Sequence, residues 1–110
     1  MTVKELIEKT GFSLVSGEGG LSNEIKGCYI GDLLSLAMSK VREGYVWITI
    51  QTNVNIVAVS VLAEGACVIL CDGQTPDDTA KNKADMEDVP LIKTEKSAYA
   101  VAKDLINLGV

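Results

Sequence analysis

A chain of 110 residues is long enough for one hydrophobic core, and its 47% hydrophobic and 23% charged residues indicate a globular protein. The formal net charge of −5 argues against nucleic acid as a partner, because such binding depends on clustered lysine and arginine. No apolar run approaches the roughly 18 residues of a membrane span, and the N-terminus lacks the apolar core of a signal peptide, so we expect a cytoplasmic protein.

The first predicted element is a helix with a capping box. Thr2 caps it, Glu5 stands three residues later, and Gly11 ends it after an apolar stripe. Two short strands, 12–16 and 24–30, are predicted on either side of the glycine-rich segment "GEGG". This segment has neither the lysine nor the following helix of a phosphate-binding loop, so it indicates a plain turn.

The middle of the chain predicts a helix, a strand and a second helix. Asp32 is the predicted N-cap of the first of these helices, and Leu36 falls outside its apolar stripe. The segment "YVWITI" (45–50) is β-branched and aromatic, which predicts a strand. Residues 54–63 would suit a strand by propensity, but their length and the glycine that follows favour a crossover helix. Because this helix is apolar on all sides, we expect it to be buried on more than its sheet face.

The last part of the chain predicts two more strands and two more helices. Residues 66–70 and 89–94 are apolar segments of the kind that a parallel sheet buries on both faces. The helix between them is predicted to begin with Thr75 as its cap and Pro76 at its first position. A final helix with a regular apolar stripe ends at Gly109.

The alternation of strand and helix from residue 45 onward predicts the fold class. It implies right-handed crossovers and parallel strands with helices on both faces. We therefore expect an α/β protein with a single three-layer domain over residues 1–110, in which a mainly parallel sheet is flanked by helices. The order of the strands is not specified by this pattern.

The residue types exclude much chemistry. The chain has no histidine, which removes the commonest general base and the commonest zinc ligand. Its cysteines, Cys28, Cys67 and Cys71, form no Cys-x-x-Cys pair, and the last two would lie about 13 Å apart along one strand face. We therefore expect buried free thiols in a reducing compartment, no metal, no cofactor and no catalytic residues.

The segment Gln51–Asn55 is the candidate ligand site. Open α/β folds bind ligands where strands lead into helices at the carboxyl edge of the sheet. The turn after Cys71 leads into Asp77 and Asp78, which would repel an anion, whereas this segment has no acid in the following helical turn. The tentative ligand-binding residues, for an anionic small molecule, are Gln51, Thr52, Asn53 and Asn55. The same residue types also serve as plain turn formers, so both interpretations stay open.

The order of the elements, together with "GCYIGDLLS" (27–35) and "WITIQTNVNIVAVSVL" (47–62), resembles the DRTGG domain. This family is similar to the N-terminal domain of HPr kinase/phosphorylase, and the resemblance covers nearly the whole chain, as in a stand-alone copy. The Asp-Arg-Thr-Gly-Gly-like turn of the family would fall at Gln51–Asn55, where this chain has neither the acid, the arginine nor the glycines. The resemblance implies a module without catalysis, of the kind attached to phosphotransacetylases and to CBS-containing pyrophosphatases, where it looks like a dimerisation element.

The surplus apolar surface of the helix at 54–63 predicts a homodimer. One sheet face covers only about half of a helix, and a monomer rarely leaves a large apolar patch in water. Two-fold symmetry is the commonest way to cover such a patch. The tentative interface residues are Leu36, Val57 and Val61. The alternative is intramolecular, with the N-terminal helix covering that face through Val3, Leu6 and Ile7.

Two functions follow from these observations as hypotheses. The first is a non-catalytic regulatory or assembly module, a dimerising domain that acts with proteins of phosphate or energy metabolism through a protein partner that the sequence does not identify. The alternative is a small-molecule sensor that binds a nucleotide or an acyl-phosphate at Gln51–Asn55.

Overall fold

The computed structural model describes residues 1–110 and contains five helices and five strands. In chain order they are α1 (Val3–Thr10), β1 (Ser13–Ser16), β2 (Gly27–Ile30), α2 (Leu34–Lys40), β3 (Tyr45–Thr49), α3 (Asn55–Ala63), β4 (Cys67–Leu70), α4 (Asp78–Glu87), β5 (Leu91–Lys93) and α5 (Ala98–Asn107). Every predicted helix and strand is present. None of the helices has the length and apolar character that crossing a membrane would require.

The five strands form one sheet in the order β1-β5-β4-β3-β2. The strands β2 to β5 run parallel, and β1 pairs antiparallel with β5 at the edge. The prediction of a mainly parallel sheet is therefore confirmed. β2 is shorter than predicted because Ile25 donates its N–H to the carbonyl of Met1, and Lys26 donates to Gly44, so these residues do not pair with β3.

Each face of the sheet has its own helix layer. α1 and α5 cover one face through Val3, Leu6, Val101 and Leu105, which pack on side chains such as Ile48 and Ile69. α2, α3 and α4 cover the other face, where Trp47 is fully buried. The three-layer arrangement predicted from the sequence is confirmed, because alternate residues of β3 and β4 point into different cores.

α3 lies in the middle of its layer, between α2 and α4. α3 consists of nine uncharged residues. Such a helix is stable here because the sheet and both flanking helices bury Ile56, Val57, Val59 and Ser60. Val57 is fully buried within one chain, so its prediction as an interface residue is wrong. The alternative, in which α1 covers α3, is also wrong, because α1 packs on the opposite face of the sheet.

Two helices begin later than predicted. α2 has Leu33 at its N-cap position. The Asp32 carboxylate does not cap this helix, because it accepts hydrogen bonds from Thr49 of β3 and from the Ile50 N–H that follows β3. α4 is capped by Asp77, whose carboxylate accepts from the Ala80 N–H at 2.8 Å. Thr75, the predicted cap, instead accepts a hydrogen bond from Lys93. In both cases a contact from another strand decides which residue caps the helix.

The glycine-rich turn at 17–20 is needed for close packing. Gly17 has φ +81°, and a Cβ there would overlap the carbonyl of Val89; a Cβ at Gly20 would overlap the carbonyl of Asp88. The turn therefore lies directly on the segment between α4 and β5, which agrees with its prediction as a structural turn rather than a phosphate loop.

Candidate functional site

The carboxyl edge of the sheet is where the loops after β2, β3, β4 and β5 meet. Asp32 joins the first two loops: its Oδ1 accepts from Thr49 Oγ1 and from the Ile50 N–H, both at 2.9 Å. Its carbonyl accepts from Gln51 Nε2 at 2.7 Å. The first turn of α3 contains no acid, as predicted, but Asp32 brings a carboxylate against the predicted ligand turn from the loop after β2.

The polar residues of the turn mostly bond to one another. The Asn53 side chain donates to Gln51 Oε1 at 3.3 Å and accepts from the Asn55 N–H at 2.9 Å. The Asn53 carbonyl accepts from the N–H of Ile56 at 3.2 Å, so this donor of α3 is already used within the protein. The Thr52 carbonyl accepts from the Asp77 N–H at 2.9 Å, which joins this turn to the start of α4.

Three backbone donors remain in the turn. The N–H groups of residues 52, 53 and 54 have no acceptor within the protein. These N–H groups could donate hydrogen bonds to an anionic ligand. The turn lines neither the cavity of about 430 Å³ nor the cavity of about 190 Å³.

The two lysines on and after β5, Lys93 and Lys96, already have hydrogen-bond or ion-pair partners within the chain. Lys93 donates to Thr75 Oγ1 at 2.8 Å, and Lys96 pairs with Asp104 at 2.8 Å. Lys93 lies on β5 and Asp32 follows β2, three strands away, which corresponds to about 14 Å. Asp32 and Lys93 are therefore not placed to act together on one substrate.

The cysteine thiols are suited to packing rather than to chemistry. Burial raises the pKa of Cys28 to about 11, and it raises the pKa of Cys67 and of Cys71 as well. All three are free, and Cys67 and Cys71 are buried in the same core, on one face of the sheet as predicted. A thiol that stays protonated is a poor nucleophile and a poor metal ligand.

A cavity with a volume of about 430 Å³ lies at the opposite, amino edge of the sheet. Sequence reasoning missed it. The available signal was an acid directly after each of two helices, Glu64 after α3 and Asp88 after α4, where glycine or asparagine is usual.

The topology defines a small α/β domain with a five-stranded, mainly parallel sheet between two layers of helices. The sequence matches the DRTGG domain over residues 5–108, and the chain therefore belongs to the DRTGG domain family. The resemblance stated from the sequence is confirmed.

Solved structures share the fold. One of them is described as the crystal structure of the CBS and DRTGG domains of the regulatory region of Clostridium perfringens pyrophosphatase, complexed with activator, diadenosine tetraphosphate. The two are similar with a TM-score of 0.74 at 13% sequence identity, over 96% of this chain and 46% of that one. This chain thus spans about half the length of its structural relative. A comparison with curated protein sequences gives no match.

Proposed function

We propose that this chain is a non-catalytic regulatory and assembly module that works as a homodimer with proteins of phosphate or energy metabolism in the cytoplasm. The observation that carries the proposal is the outer α2–α3 surface. Its exposed apolar residues, with the exposed fraction of each, are Leu33 (64%), Leu36 (44%), Val61 (40%) and Leu62 (74%). Family membership over residues 5–108 and the regulatory region named in the structural relative support a regulatory role.

A second copy of the chain is the occupant that we propose for this surface. α2 and α3 pack side by side, so their outward sides face the same direction. No residue of α3 is charged, whereas the whole chain has a formal charge of −5. Two copies would repel each other through most of their surfaces, and an uncharged apolar face is the contact that avoids this repulsion. Because Val57 is buried inside the chain, we propose that Leu62, on the outward side of the same helix, contacts the second copy instead.

Light scattering coupled to size exclusion tests the dimer. We expect a mass twice the 11.7 kDa of the chain, and a mass of one chain for Leu36→Glu and for Leu62→Glu. Ile106→Glu is the matched control: Ile106 is 69% exposed, but it lies on α5, on the other face of the sheet, so the dimer should persist. A monomeric parent protein, or equal dissociation by Ile106→Glu, would contradict the proposal.

The absence of catalysis is the second part of the proposal. It rests on the distance between Asp32 and Lys93 and on the lack of histidine. In kinase, phosphatase and acyl-phosphate assays, the rates with purified protein should not exceed the rates measured in buffer without protein. An activity that disappears with Asp32→Asn or Lys93→Met, while circular dichroism shows an intact fold, would overturn it.

The alternative function is a sensor that binds a nucleotide or acyl-phosphate at Gln51–Asn55. It is favoured by the backbone donors of residues 52–54 and by the activator named in the structural relative. A thermal-shift panel with diadenosine tetraphosphate, ATP and acetyl phosphate tests it. At one hundred times its Kd, a ligand should add about 2.7 kcal/mol to the free energy of unfolding. If none of these compounds raises the Tm, the assembly role alone stands.

A further inference from the structure

The cavity at the amino edge has an acidic wall. It lies between the loops that lead into β2, β3 and β4 and the C-terminal ends of α3 and α4, and only 3 of its 13 lining residues are hydrophobic. Its carboxylates belong to Glu24, Glu43, Glu64, Glu87 and Asp88. A concentration of acids in one concave site favours a cationic ligand.

Cations of the chain itself already neutralise part of this wall. Lys26 is hydrogen-bonded to Glu43, and the N-terminal ammonium group lies 3.5 Å from Glu24. Lys83 lies 3.2 Å from Glu87. Two carboxylates of the wall, Glu64 and Asp88, form no ion pair.

These two acids occupy positions that the local rules of helix formation disfavour. Glu64 and Asp88 are the C-caps of α3 and α4, with φ of 56° and 55°. Glycine or asparagine is usual in this left-handed conformation, and a carboxylate is repelled by the negative end of a helix. The Asp88 carboxylate also touches Gly19, where a Cβ would overlap it.

Ser60 provides an independent observation. It lines the cavity, its side chain is on a residue only 2% exposed, and its Oγ has no hydrogen-bond partner. Nearly all buried hydroxyl groups in proteins are hydrogen-bonded, so this unpartnered hydroxyl, although closed to solvent, is an exception at the cavity. A Cβ at Gly65 would lie 2.9 Å from the hydroxyl, so the Gly65 backbone packs close beside Ser60.

The spacing of the acids argues against a metal ion. No group of three or more acidic or cysteine side chains is close enough to hold one. Ca²⁺ and Mg²⁺ need about six oxygens within 2.0–2.6 Å, whereas separate ammonium groups can each use a different carboxylate. We propose that the amino-edge cavity binds a linear polyammonium compound, with its ammonium groups at Glu64 and Asp88 and a hydrogen bond to Ser60 Oγ.

Calorimetric titration with spermidine tests the site. We expect saturable binding of one molecule per chain in about 0.15 M salt, where diffuse attraction is screened within about 8 Å. Glu64→Gln should weaken the Kd about fivefold, as expected for the loss of one ion pair. The matched control is Glu8→Gln, an exposed acid on α1 whose loss changes the net charge equally and should change the Kd less than twofold.

Ser60→Ala separates this site from general attraction to an acidic protein. It keeps every charge, and the loss of one hydrogen bond to a cation should weaken the Kd about tenfold.

In a ¹⁵N-labelled sample the amide resonances of Gly44 and Gly65, which line the cavity, should shift on titration. Equal effects of Glu8→Gln and Glu64→Gln, or displacement of spermidine by Mg²⁺ alone at equal concentration, would overturn the proposal. Binding of an oligolysine peptide without binding of spermidine would also overturn it.

The cavity and the proposed dimer surface share Val61, so binding and assembly are measured separately. Light scattering on the titrated samples reports the oligomeric state separately, so the failure of either proposal can be recognised without the other.

Discussion

At the carboxyl edge of the sheet the polar side chains bond to one another, whereas at the amino edge two carboxylates and a buried hydroxyl have no partner within the chain. Thr49 and Ser60 illustrate the difference. Both are almost completely buried, but Thr49 Oγ1 donates to Asp32 and accepts from the Gln51 N–H, while Ser60 Oγ does neither. A polar loop is thus a weak sign of a ligand site when its hydrogen bonds are internal, and an unsatisfied buried group is a stronger one.

The largest expected effect concerns the packing that supports the amino edge. Gly17→Ala should lower the free energy of unfolding by at least about 3 kcal/mol, because its Cβ would overlap a backbone carbonyl at a left-handed φ. Gly11→Ala is the control: its φ is +74° with nothing within 4 Å, so it should lose only about 1 kcal/mol. Urea denaturation measures both values. Equal losses would show that φ, rather than contact with Val89, determines the effect.

At the carboxyl edge, Asp32→Ala should lower the free energy of unfolding by about 2 kcal/mol. The substitution leaves Thr49 Oγ1 and the Ile50 N–H without their shared acceptor. Asp78→Ala removes an equal charge from a side chain that is 97% exposed, and it should change stability by less than about 0.5 kcal/mol. If the two variants unfold at the same urea concentration, Asp32 is not the connection between the loops that the geometry indicates.

The buried hydroxyl groups of Thr49 and Ser60 should respond with opposite signs. Thr49→Val should lose about 1 kcal/mol, because it removes two hydrogen bonds, whereas Ser60→Ala should gain up to about 1 kcal/mol by removing an unsatisfied group. Thermal unfolding of both variants without added ligand tests this. A loss of stability in Ser60→Ala would contradict the view that this hydroxyl serves a ligand rather than the fold.

The smallest effect is a pH dependence at the rim of the cavity. The hydrogen bond and charge of Lys26 lower the pKa of Glu43 below the ordinary 4.5. Because the folded pKa is lower than the unfolded one, this stabilisation is present above pH 4.5 and is lost as the pH falls through the folded pKa. Glu43→Gln should remove that part of the acid dependence, with Tm as the measure. An identical profile in Glu8→Gln would assign the effect to overall charge.

The predicted ligand segment lies at the sheet edge that the sequence indicated, and whether it binds a ligand stays a prediction. Gln51–Asn55 does lie at the carboxyl edge of the sheet, because the strand before it and the helix after it are strong local signals. The residue that changes its chemistry, Asp32, is nineteen positions before Gln51 and reaches it only because β2 and β3 are neighbours. The amino-edge cavity depends on the same kind of contact, since α3 and α4 must end side by side.

The sequence by itself determined the α/β class, all ten helices and strands, the capping box of α1 and the burial of the parallel strands. Periodicity, propensity and glycine stops act within a few residues, so they can be read along the chain. Only the tertiary structure decided the strand order, the capping residues of α2 and α4, the full burial of Val57 and the acids that meet at the cavity. Each of these depends on which elements are neighbours in space, and the free energy of those contacts exceeds the local preferences of the residues involved.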